Sequence, residues 1–91
     1  MDARYQIRSK RTLLFSNAYS SEAFLGESNR IKEARGRVKQ EINSHISMLA
    51  THDWHGLQFS LIGNDQHKIL AGTDDGGELR YVYEVWVDEE G

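Results

Sequence analysis

The chain has 91 residues, 38% hydrophobic and 27% charged, with 11 Lys/Arg against 14 Asp/Glu and neither cysteine nor proline. That length holds one domain, expected over residues 1–91, and not two. The missing thiols exclude disulfides and thiolate metal sites, and no apolar run approaches the roughly 20 residues of a bilayer span.

Aromatic residues at 10% argue for a folded core, since disordered chains lack groups worth burying. In chain order, the first 25 residues are the least legible. Tyr5-Gln6-Ile7 and Leu13-Leu14-Phe15 read as strand material that turns at Ser9-Lys10. A short helical turn at residues 20–24 is the alternative.

A long helix follows from about Asn29 to Thr51. Ile31, Ala34, Val38, Ile42, Ile46 and Leu49 recur at the three- and four-residue spacing of a single helical face. Ser28 is the expected N-cap, and Glu33 to Arg37 an expected i,i+4 ion pair. Gly36 falls on the polar side, where glycine is a weaker helix former than alanine.

Three strands come next. Leu57, Phe59 and Leu61 alternate with Gln58 and Ser60, which predicts a half-buried strand. Gly63-Asn64-Asp65 supplies a turn, a short strand spans His67 to Ala71, and a polar loop covers residues 72–77. In the last strand Leu79, Tyr81, Tyr83, Val85 and Val87 share one face, with Tyr81 and Tyr83 expected in the core. The predicted fold is α+β: one long amphipathic helix on one face of an antiparallel sheet of three to five strands, in the order β(β)αβββ.

Chemistry is sparse. His45, His52 and His55, with Asp53, match no established metal spacing and suit a solvated helix C-terminus better, so no metal or other cofactor is expected. Nucleophile elbows and phosphate-cradling glycine loops are absent from the sequence. The paired acids at Asp74-Asp75 and at residues 88–90 sit where turns and termini place solvated charge. An enzyme is not expected.

Charge along the chain is uneven. Residues 1–45 carry nine of the Lys/Arg and five of the Asp/Glu, a net +4, whereas residues 46–91 carry two and nine, a net −7. Such polarity speaks to association rather than fold. The expected function is a small non-catalytic protein-interaction domain, a regulator or inhibitor of a larger protein or nucleic-acid-handling complex. Its contact face would be acidic and aromatic: Asp74, Asp75, Glu78, Glu84, Trp86 and Trp54. The last strand, read as an exposed edge, would also offer a route to a homodimer. The alternative is nucleic-acid binding through Arg4, Arg8, Lys10, Arg11, Arg30, Arg35 and Arg37. With no signal-peptide pattern at Met1–Arg8, a cytoplasmic location is expected, without membrane contact.

Overall fold

The structure is a computed structural model that describes residues 4–15, 17–51 and 56–90. It comprises β1 (Arg4–Leu14), β2 (Ala18–Ser28), α1 (Ile31–Ala50), β3 (Gln58–Gly63), β4 (His67–Thr73) and β5 (Leu79–Glu90). The five strands form one antiparallel sheet in the order β2-β1-β5-β4-β3, and α1 crosses one of its faces. The α+β architecture expected from periodicity is therefore present. No helix among the described residues is long and apolar enough to cross a membrane.

Alternation places Tyr5, Ile7, Ser9, Arg11 and Leu13 of β1, and Tyr81, Tyr83, Val85 and Val87 of β5, on the side of the helix. Ile7, Val85 and Tyr81 are fully buried there against Ala34, Val38 and Ile42, with Leu49 and Leu70 completing the core. Of the apolar helix positions read from the sequence, Ala34, Val38, Ile42, Ile46 and Leu49 join this core. α1 lies over β5, β1, β4 and β2 and does not reach β3.

Several local expectations are corrected. β1 does not turn at Ser9-Lys10; it runs straight through them to Leu14, and β2 occupies the segment in which a helical turn was the alternative. Ser9 is 5% exposed on the helix side, so a residue that resembles a turn former is interior strand. Ser28 is not the N-cap. It still pairs with Tyr5 as the last residue of β2, and its Oγ accepts from the Arg30 amide at 3.1 Å. Arg30, in extended conformation, takes the N-cap position without a side-chain bond. Arg37 pairs with Glu41 at 3.6 Å in place of Glu33.

The largest correction concerns β5. The last strand is the centre of the sheet, paired with β1 over Tyr81–Glu90 and with β4 over Leu79–Trp86, so its Tyr/Val-rich stretch offers no edge for a homodimer. The edges are β2 and β3. A bulge distorts β2 where Ile7 faces Gly26 and Arg8 faces Phe24, leaving Leu25 as the extra residue. Gly26 there has φ +147°, a conformation that disfavours any side chain. Arg37 packs against this glycine and donates from Nη2 to the Leu25 carbonyl at 3.0 Å.

Candidate functional site

Among the described residues, nothing forms a second layer over the face of the sheet away from α1. The even-numbered residues of β1 and β5 point there, and the registers set them in rows. One row runs Phe24, Arg8, Trp86, His67 across β2, β1, β5 and β4. The Arg8 guanidinium lies 5.7 Å from the centroid of the Phe24 ring, and the His67 and Trp86 rings are 5.9 Å apart. Phe24 is 54% exposed. The next row runs Glu22, Lys10, Glu84, Ile69, Ile62, so that a lysine stands between two glutamates. Lys10, Glu22, His67, Glu84 and Trp86 line a shallow depression of about 250 Å³.

On the sheet, the two halves of opposite charge meet. β1 is basic and β5 is acidic, and they are neighbours. Arg8 Nε lies 3.5 Å from Asp88 Oδ2, Lys10 stands opposite Glu84, and His67 Nε2 is 3.2 Å from Glu84 Oε1. The acidic contact face expected from the charge of residues 46–91 is therefore interleaved with basic groups here, as Lys10 opposite Glu84 illustrates, because opposite charges across a strand pair favour pairing. The outcome is a face of mixed charge with apolar and aromatic side chains set into it.

The expected contact residues separate into two places. Glu84 and Trp86 share the open face. Asp74 and Glu78 belong instead to the β4–β5 turn. Asp74 Oδ1 accepts from the amides of Gly76 and Glu78 at 2.9 and 3.0 Å, and Arg80 donates to Asp74 Oδ2 at 2.9 Å and to Glu78 Oε2 at 2.7 Å. Arg80 also reaches the Leu14 carbonyl at 3.1 Å, tying the turn to the end of β1. The hydrogen bond from Arg80, followed by that from the Glu78 amide, holds the Asp74 carboxyl below its usual range. These two acids are engaged in shaping a turn, while Asp75 is exposed at its tip. Trp54 lies outside the described residues, as do His52, Asp53 and His55.

The expected nucleic-acid set spreads over several surfaces. Arg4, Arg8 and Lys10 share the parity of the open face, whereas Arg11 lies on the helix side of β1. Arg37, one turn from an acid, faces the β2 bulge. Arg35, on the other flank of α1, borders the Asn64–Gln66 turn. Arg30 caps the helix. Contiguous positive charge, the usual footprint of such binding, does not arise from these seven residues.

A polar seam between helix and sheet was not foreseen. The His45 ring stacks on Tyr83 with centroids 3.7 Å apart and planes 9° from parallel, and His45 Nε2 is hydrogen-bonded with the Tyr81 hydroxyl. Burial, with a smaller contribution from the Arg11 charge, lowers the His45 pKa to about 4. Burial likewise raises Tyr81 to about 12 and shifts Tyr83 upward. The described side chains contain no buried polar atom without a partner. His45 is thus part of the packing, and no group of three candidate metal ligands occurs among the described residues.

Phe24, Glu22 and His67 are the open-face residues that sequence reasoning missed. Each is unremarkable in its own segment, and what joins them is strand order and register. Comparison with known proteins finds no match: no protein-family model, no curated protein and no solved structure aligns with the chain.

Proposed function

We propose that the chain is a non-catalytic protein-interaction domain that docks through the open face of its sheet. The observation that carries this reading is the Phe24–Arg8–Trp86–His67 row, a line of aromatic and cationic groups that no described element covers. Trp, Tyr and Arg are the residue types in which binding energy concentrates. The charged groups around the row alternate in sign, which suits a partner surface of mixed polarity and gives register more than affinity. A polyanion fits less well, since Arg8 and Lys10 already have Asp88, Glu84 and Glu22 beside them.

A photo-crosslinking amino acid at position 86, with position 36 on the opposite exterior as control, tests the reading in extracts of the source cells. The expected result is a discrete protein adduct from position 86 that disappears with Phe24→Ala and Arg8→Glu and is absent from position 36. Equal labelling from both positions would refute the assignment of the face. Salt-sensitive binding of labelled DNA or RNA, lost with Arg8→Ala or Arg35→Ala, would favour the nucleic-acid alternative.

A further inference from the structure

The two edges of the sheet are protected unequally. β2 carries Glu22 and Glu27, is kinked by its bulge, and has the Leu25 carbonyl covered by Arg37. Charges and bulges of this kind keep other strands from adding to an edge. β3, with the sequence Gln-Phe-Ser-Leu-Ile-Gly, has no charge, no proline and no bulge. Leu61 on its helix side is 46% exposed and Ile62 on its open side 55%, so the same edge shows apolar groups on both faces. α1 stops short of it.

From this contrast we infer that β3 pairs with β3 of a second copy, antiparallel, to join two sheets into one of ten strands. The geometry of the edge supports that occupant. The Asn64 amide donates to the His67 carbonyl at 2.9 Å, and bonded pairs alternate along an antiparallel ladder. Ile62–Ile69 and Ser60–Ala71 therefore exchange bonds within the hairpin, and the amides and carbonyls of Phe59, Leu61 and Gly63 point out of the edge. A two-fold axis normal to the sheet keeps each face on its own side only if opposed residues share the same parity. Placing Leu61 on that axis sets Leu61 opposite Leu61 and Phe59 opposite Gly63, which brings all three outward-pointing residues of both copies into bonds. Ile62 then faces Ser60 on the open side. No like charges meet, because the strand has none. Both helices lie on the same side, each centred about two strand spacings, roughly 10 Å, from the joined edge. The pairing also sets two open faces side by side.

A six-residue strand buries less than a standard interface, so the dimer belongs to the weak class. Sedimentation of the full chain from about 5 μM to about 1 mM should show the average mass rising from 10.5 kDa toward twice that value. Leu61→Lys, which places a charge on the axis, should hold the chain monomeric with an unchanged circular-dichroism spectrum, whereas Ser21→Lys on the β2 edge should dimerise like the wild type. Should Leu61→Lys fail to fold, Ile62→Lys serves, with the same loss expected. A chain that stays monomeric at 1 mM would overturn the inference. So would a dimer that survives both β3 changes, or one lost with Ser21→Lys.

Discussion

Replacing His45 by glutamine should remove a specific part of the acid sensitivity of the fold. In the unfolded chain His45 takes up a proton near its ordinary 6.5; in the folded chain, buried beside Arg11 and stacked on Tyr83, it does so only near 4. Between those values the unfolded state holds the extra proton, so stability contributed by the neutral imidazole is complete above 6.5 and falls as the pH drops toward 4. The full difference corresponds to at most about 3 kcal/mol. Partial exposure of the ring reduces the expected share to about 1–2 kcal/mol. Urea denaturation of wild type and His45→Gln at intervals from pH 7 to pH 4 measures it. Carboxylates titrate alike in both chains, so the stability gap between them should shrink by that amount on acidification. A gap that stays constant would refute the placement of His45 in the helix–sheet seam.

Other substitutions probe the same packing. Gly36→Ala meets nothing within 4 Å and should raise stability by about 0.5–1 kcal/mol, seen as a melting temperature higher by a few degrees. Ile42→Ala, at 1% exposure, should cost about 2–5 kcal/mol in the same thermal or urea assay. Asp74→Asn weakens the acceptor for Arg80 and should speed amide exchange at Gly76 and Glu78. The Asp74 carboxyl is held below its usual range, so its contribution is present above the unfolded pKa and is lost as the pH falls.

The helix was legible because one segment carries its whole signal: Ile31, Ala34, Val38, Ile42, Ile46 and Leu49 repeat on one face, and from Ala34 to Leu49 those positions join the core. His45 was legible in principle as well. It stands three residues beyond Ile42 and seven beyond Val38, on the apolar side of the helix, but a polar side chain there has a role only once Tyr81 and Tyr83 are known to lie opposite. Strand membership of residues 58–61 and 79–87 also followed from alternation. Strand neighbours did not, since alternation tells which side a residue faces and not which strand lies beside it. That is why β5 resembled an edge and is the centre, and why the acids of β5 and the bases of β1 resembled separate exteriors and are cross-strand partners. Ser9-Lys10 misled for a related reason. Ser9 is acceptable in interior strand because the Tyr83 hydroxyl is within its hydrogen-bonding reach, a partner 74 positions away in sequence.

The site depends on β5 lying between β1 and β4, since that placement alone assembles the aromatic and cationic row. Interstrand backbone NOEs of Trp86 in the labelled chain test it most directly. Contacts to Arg8 on one side and to His67 on the other are expected, with a slowly exchanging Trp86 amide; contacts on one side alone and a rapidly exchanging amide would show that β5 does not lie between β1 and β4.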